Sequence, residues 1–510
     1  MGLAPASNTP AIAQGHHGRR VTWETLCAHH KAARRRGTTG LDWVIAANIR
    51  QARPDPRGKG GTLDATCRSD RRTMTSRKMH LVAFLLAGPT AHHHGAWRHP
   101  EADLGVFTPQ WHEHIARVLE QGKFDSLFFA DILGLYDLFG GSFATILRCG
   151  GQMGLLDPIP LLSIMSRVTS HIGLGATLSS TFYPPYHLAR TLGTLDLMSG
   201  GRVAWNVVAS HGHLEAQNFG LDELPARDTR YDYADEVVEA VCRLWESWDE
   251  DALVLDKARG VYADPDKVHY ANYEGKWIRT RGPLTVPRSP QGRPVIMQAG
   301  SSSRGRDFAA RWGELVFTLQ HSKADMQAFY RDLKARVVAR GRAAEECLIL
   351  PSIDVIVGET DQIARARQAY VNDLVQTEVG MAQMSGHIGV DLSRFPPDQP
   401  LADMVLEAGS RGSLDVILQG TAAQGLTLGE AARRFATSEL CPQIAGSPET
   451  IADELQDLFE SGACDGFVLT PTLMPGMFEQ FCRAVVPVLQ ARGLFRREYG
   501  GTTLRAHLRD

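Results

Sequence analysis

The stretch ARTLGTLDLMSGGRVAWNVVASHGHLEAQNFG, residues 189–220, restricts the folds open to this chain more than any other. Leu192, Leu195, Leu197 and Met198 recur at the spacing of an amphipathic helix. Ser199-Gly200-Gly201-Arg202 stops that helix, since glycine accepts the left-handed backbone that closes one. Residues 203–208, VAWNVV, are an apolar run of strand length that opens into Ala209-Ser210-His211-Gly212-His213. Helix, glycine stop, buried strand and polar exit form one unit of a parallel α/β fold. Ligands in such folds sit at the carboxyl ends of the strands, which directs attention to residues 206–213.

The alternation continues along the chain. Strands are predicted at residues 79–88, 126–130, 172–177, 203–208, 294–298, 315–319, 350–357 and 466–470. Helices fall at about 110–122, 157–169, 231–248, 448–461 and 477–490, with another beginning near Arg306. Eight strands separated mostly by helices is the count of a (β/α)8 TIM barrel. Two insertions interrupt it: residues 249–291, with short antiparallel strands, and residues 378–439, a long lid-like segment after the seventh strand. A doubly wound open sheet is the runner-up. Against it, no G-x-G-x-x-G follows a strand, and Gly173-Leu174-Gly175 lies inside one.

Residues 1–75 read differently from the barrel domain, 76–510. They are rich in Arg, Gly and Thr, with sustained periodicity only at a possible helix over 23–34, and are expected to be a disordered extension or sequence upstream of a start at Met74 or Met79. Residues 1–78 hold 15 Lys and Arg against 5 Asp and Glu, leaving 39 basic and 52 acidic residues for the remainder. An acidic globular part argues against nucleic-acid binding. No run reaches bilayer-spanning length, so no membrane role is expected. Eight scattered cysteines, with no CxxC pair, suggest reduced thiols and a cytoplasmic protein.

In a barrel the strand ends face one another, which gathers His92–His94, Asp131, Thr177–Ser180, Asn206–Ser210, Ser301–Arg304 and Thr470. Serines, a glycine and an arginine at a strand-to-helix turn suit a phosphate. Asp131 closes an apolar strand, where a carboxylate needs a ligand, a hydrogen-bond partner or a helix to cap. His92, His93 and His94 suggest a metal at first sight, but adjacent side chains in an extended loop diverge and no second Cys/His cluster supports them, so no metal is expected. Trp97, Trp205, Phe128, Phe129 and Tyr183 read as barrel wall, with some bordering a flat ligand. Pattern alone reaches an acidic α/β barrel for a phosphorylated cofactor, and leaves the reaction open.

Several of these segments resemble the bacterial-luciferase-like flavin monooxygenases, in the branch holding nitrilotriacetate, EDTA and dibenzothiophene-sulfone monooxygenases. They are HHHGAWRHP (92–100), GKFDSLFFAD (122–131), IGLGATLSSTFYPPYHLARTLGTLDLMSGGRVAWNVVAS (172–210), RYDYADEVVEAVCRLWESWDEDA (230–252), GPLTVPRSPQGRPVIMQAGSSSRGRDFAARW (282–312) and SGACDGFVLTP (461–471). The resemblance implies FMN used as FMNH2, supplied in trans by an NAD(P)H:FMN reductase, and O2 as oxidant. Oxygenation of a carbon next to N or S then breaks the C–N or C–S bond. It carries FMN contacts onto Asp131, Thr177, Tyr231 and Ser302, with Ser210 joining Ser302 at the phosphate. Arg227 stands where related sequences have histidine, and as a cation it can still pair with phosphate.

The resemblance also makes His92, after the first strand, and His387, in the lid-like insertion, the candidate catalytic residues. They would hydrogen-bond the peroxide or substrate oxygen; the alternative is that His93 and His94 only shape the loop and His387 only packs the lid. The substrate is expected to be a small organic molecule. A sulfone of dibenzothiophene type is favoured because Phe128, Phe129 and Trp205 suit an aromatic heterocycle, whereas an aminopolycarboxylate would want several cations and only Arg227 and Arg304 stand near. A non-catalytic flavin-binding barrel and a deazaflavin-dependent dehydrogenase are the other readings. A homodimer or homotetramer is expected.

Overall fold

A computed structural model describes residues 77–401, 404, 425–439 and 441–509. The extension expected over residues 1–75 and the helix expected over 23–34 lie outside the described residues. Eight parallel strands close a barrel: β1 (His80–Leu86), β2 (Ser126–Ala130), β3 (Gly173–Ser179), β4 (Val203–Val208), β5 (Val295–Gln298), β6 (Leu315–Thr318), β7 (Leu348–Val357) and β8 (Gly466–Thr470). Closure runs through β6 on β7, β7 on β8 and β8 on β1. This is the expected TIM barrel.

The near-continuous apolar strands follow from burial on both faces. Alternate residues divide between two layers. Val82, Phe84, Phe128, Ala204, Met297, Leu350 and Val468 fill the lumen, while Leu81, Leu127, Phe129, Trp205, Ile296 and Leu469 pack under the helices. The expectation that Phe129 and Trp205 border a ligand is therefore corrected. Trp205 is fully buried in the outer layer, its Nε1 donating to the Leu178 carbonyl at 3.0 Å and its ring edge-on to Trp245. Period-two alternation sends these two side chains outward and leaves Phe128 facing in.

β7 is ten residues long and outruns its neighbours. A further parallel strand, Gln443–Gly446, covers its outer half, pairing Asp354 with Gln443 and Val357 with Gly446. The short QIAG sequence gave no signal for it.

The surrounding helices include α1 (Pro109–Gln121), α2 (Pro158–Ser166), α3 (Pro185–Met198), α4 (Arg227–Trp245), α5 (Ser303–Trp312), α6 (Lys323–Ala339) and α7 (Asp361–Asp373). The stop after α3 works as the sequence suggests, with Gly200 and Gly201 at φ 78° and 85°. Behind it Arg202 is 2% exposed. Its guanidinium donates to the carbonyls of Ser166, Thr169, Ile172 and Ser199, closing the carboxyl end of α2. These bonds lock the amino-terminal end of the barrel and leave the opposite end for chemistry.

The insertion at 249–291 holds two hairpins, Leu253–Asp256 with Val261–Ala263 and Tyr273–Glu274 with Arg279–Thr280. The other insertion supplies α8 (Thr377–Ile388) and α9 (Leu428–Ser438), joined through Met384, Ile388, Leu428 and Phe435. A Cβ on Gly380 would lie 2.1 Å from the Ala432 carbonyl oxygen, so only glycine permits this crossing. α10 (Pro448–Glu460) then leads into β8. No described helix is long and apolar enough to cross a membrane.

Candidate active site

At the carboxyl ends of β2, β4 and β5 a cavity of about 230 Å³ opens, bordered by Asp131, Tyr136, Ser210, Arg227, Tyr231 and Gln298. Ser210 leaves β4 at φ 44°, a left-handed backbone unusual for serine. Its hydroxyl is thereby held 2.9 Å from that of Ser179. Asp131 bonds the amide of Ile132 at 3.0 Å, and no described helix starts there for it to cap. Burial, aided by repulsion from Asp157 and Glu215, pushes its carboxyl up to about 7. Gly154 permits the close approach, since a Cβ there would sit 2.5 Å from the Asp131 Oδ1.

The wall made by α4 and α5 has the character of an anion cradle. The Tyr231 hydroxyl hydrogen-bonds Gln298 and lies between Gly300 and Gly305, where added Cβ atoms would stand only 2.8 and 2.9 Å from it. Ser302 is the N-cap of α5, its Oγ accepting from the Gly305 amide at 3.1 Å. Backbone amides at a helix start, packed closely on a hydroxyl, fit a flavin phosphate. Arg227 opens α4 with a side chain 49% exposed and its nearest carboxylate, Asp228, at 3.9 Å. Arg304 is otherwise engaged, bonded to Asp232 at 2.9 Å and Asp235 at 2.5 Å. The expectation that it stands ready for phosphate or polyanion is corrected on that ground.

Thr177 lies one layer below the cavity. It is 4% exposed, faces the lumen and accepts from Asn206 Nδ2 at 2.8 Å. Phe84, Phe128 and Phe317 form an aromatic group in the lumen, with centroids 5.3 to 6.0 Å apart.

The two candidate histidines belong to a neighbouring buried polar cluster. His92 lies against Phe84 at 4.3 Å between ring centroids. Its Nε2 is 3.5 Å from Glu439 and its Nδ1 is 3.6 Å from the Cys441 sulfur. His94 reaches the same carboxylate at 3.5 Å, and His387, from α8, at 3.8 Å. Tyr136, which borders the cavity, stands edge-on to His387 at 5.5 Å and connects the two regions. His93 turns away to Asn372 at 3.1 Å. The expected divergence of adjacent histidines thus separates His93 alone, while His92 and His94 converge. Burial pushes His92 and His387 below the ordinary imidazole range, against the pull of Glu439, and takes His93 and His94 down to about 4 and about 3. Among the described residues, no group of three or more His, Cys, Asp or Glu could hold a metal ion.

The geometry therefore gathers Asp131, Ser210, Arg227 and Tyr231 at the cavity, with Ser302 in the adjoining turn and Thr177 beneath. It sets His92 and His387 a step away. Tyr136, Gln298 and Glu439 were missed from sequence. Gln298 ends a short apolar strand, which is a usable signal; Tyr136 sits in an irregular segment, and Glu439 follows the last turn of α9, where a charged residue is unremarkable.

The model of the luciferase-like monooxygenase family matches residues 80–465. Dibenzothiophene-sulfone monooxygenase of Rhodococcus erythropolis (strain XP) is 49% identical over 437 residues, covering 85% of this chain and 96% of the relative. The crystal structure of DmoA from Hyphomicrobium sulfonivorans superposes with a TM-score of 0.79 at 36% identity, covering 85% of this chain and 92% of the other. A crystal structure of a riboflavin lyase with modified FMN and riboflavin gives a TM-score of 0.77 at 33% identity, covering 85% and 96%.

Proposed function

The chain belongs to the luciferase-like monooxygenase family, a group of flavin-dependent oxidoreductases, and from that premise we propose that it cleaves a C–S bond of an aromatic sulfone. In this reading it is the oxygenase of a two-component system, taking FMNH2 from a separate NAD(P)H:FMN reductase and O2 from solution. Asp131, Thr177, Ser210, Arg227, Tyr231 and Ser302 would hold FMN. The observation that carries the assignment is the start of α5, capped by Ser302 and packed through Gly300 and Gly305 on the Tyr231 hydroxyl, which itself borders the cavity. When bound, the reduced flavin supplies the electrons that activate O2 for oxygen transfer.

The chain's own residues have three tasks. Arg227 and the amino end of α5 offset the phosphate charge. The α8–α9 pair excludes water, which strengthens every polar contact beneath it and limits loss of oxidant to solvent. Neutral His92 and His387 donate or accept hydrogen bonds at the substrate oxygens. Aromatic substrate is supported by the Phe84–Phe128–Phe317 group and by the 49% identity to a sulfone-cleaving relative. The commitment of Arg304 to Asp232 and Asp235 weakens the aminopolycarboxylate alternative.

Supplying reduced FMN, O2 and either dibenzothiophene sulfone or nitrilotriacetate tests the proposal. Sulfinate release from the sulfone is the expected result, and turnover of the polyanion alone would refute it.

A further inference from the structure

Glu439 terminates α9, at the point where the lid-like insertion returns to the barrel. Three features set it apart. Its backbone adopts φ 48° and ψ 37°, a left-handed conformation that costs a side-chain-bearing residue and persists only where surroundings impose it. Its side chain is 5% exposed, and Oε1 has no hydrogen-bond partner among the described residues. Its two oxygens face three imidazoles from two parts of the fold: His92 and His94 from the loop after β1, and His387 from α8, all through Nε2 at 3.5, 3.5 and 3.8 Å. A buried carboxylate is costly unless paired, so this convergence is a constraint on the cluster.

The Cys441 sulfur is 3.6 Å from His92 Nδ1, and burial keeps that thiol protonated. His387 turns Nε2 to the same carboxylate at 3.8 Å, an ion-pair distance rather than a hydrogen bond. Tyr136 and Phe435, edge-on at 5.5 and 5.2 Å, hold the ring in place.

We propose that Glu439 is a positioning residue of the candidate active site, its buried charge facing Nε2 of His92 and of His387 and tying the lid histidine to the barrel histidines. The inference rests on the functional reading above, because it concerns the same site. A carboxylate facing an imidazole favours one ring orientation and stabilises the imidazolium formed when the ring takes up a proton. Such a residue acts on turnover and leaves ground-state binding alone.

The test is Glu439→Gln in the full-length enzyme, assayed with reduced FMN, O2 and dibenzothiophene sulfone. The amide preserves shape but removes the negative charge that faces the three imidazoles. We expect kcat to fall about 10–100-fold. KM for the sulfone, reduced-FMN affinity and the thermal midpoint should stay at parent values, and more H2O2 should be released per product. Glu439→Asp, which keeps the charge, should recover part of kcat. A purely structural role would instead lower the thermal midpoint in step with activity, with no recovery by Asp, and either that pattern or an unchanged kcat overturns the inference. If Glu439→Gln does not fold, Glu439→Asn serves, because asparagine tolerates the left-handed backbone; the same outcomes apply. A parent enzyme that turns over no sulfone would refute the functional reading itself, whereas an active parent with an unaffected variant refutes only the role of Glu439.

Discussion

At Asp131 the chain keeps a carboxyl where water is scarce and Asp157 and Glu215 stand near. Folded, it holds its proton up to about 7, whereas the ordinary value is 3.8. Folding therefore takes up a proton between those values, and this residue's contribution to stability declines as pH rises through that window. Asp131→Asn removes the decline. Flavin-free denaturation curves should coincide for parent and variant below about pH 4 and favour the variant increasingly up to about pH 7, while its affinity for reduced FMN drops; parallel curves across the range would contradict this. Ser302 gives a second test. Aspartate caps a helix as well as serine does, so Ser302→Asp should keep the thermal midpoint. It sets a negative charge in the cradle, and reduced-FMN affinity should weaken by about tenfold or more in titration; unchanged affinity would remove Ser302 from the site. Asp131 and Ser302 were legible because one directly follows an apolar strand and the other opens a helix, places where a polar residue is conspicuous. Glu439 was not, since its importance comes from three imidazoles distant in sequence, which only the folded chain brings together.

The strands were legible as elements because burial on both faces writes itself into sequence as unbroken apolar runs. Which face each residue takes was harder: Phe129 and Trp205 look like Phe128 until alternation assigns them to the outer layer. The strand Gln443–Gly446 was invisible, being four residues that pair only because β7 outruns its neighbours. Over α8 and α9 the sequence announced an insertion but not its packing, which depends on a single close crossing. Gly380→Ala would force the new methyl against the Ala432 backbone, 2.1 Å away, and push the helices apart. A loss of about 1–3 kcal/mol of stability is expected in denaturant titration. More H2O2 per product should accompany it, because the cover over the strand ends is loosened; unaltered stability with parent-like coupling would contradict the described packing.

Across the whole molecule the charge is uneven, with a basic first segment and an acidic remainder. Arg77 ties the chain to the barrel, its guanidinium donating to the carbonyls of Phe459 and Cys464, and the Met79 amide bonds the Leu494 carbonyl at 2.8 Å. Removing residues 1–73 spares these contacts, so the shortened chain should fold and bind reduced FMN as the full chain does; insoluble protein or lost affinity would show that the segment matters. Architecture and cofactor class were legible at this scale because a repeating strand–helix unit and several long motifs span most of the chain. Substrate was less so, since it depends on which side chains line one end of the lumen. The reaction proposed for this chain is oxygen transfer from O2 to the carbon of a C–S bond, with electrons from reduced FMN. Its most direct test is a single turnover of the FMNH2-loaded enzyme with 18O2 and dibenzothiophene sulfone, followed by mass spectrometry of the product. Ring-opened sulfinate carrying 18O on the carbon formerly bonded to sulfur is the expected product. Intact sulfone with the electrons recovered as H2O2, or product labelled from water, would contradict it.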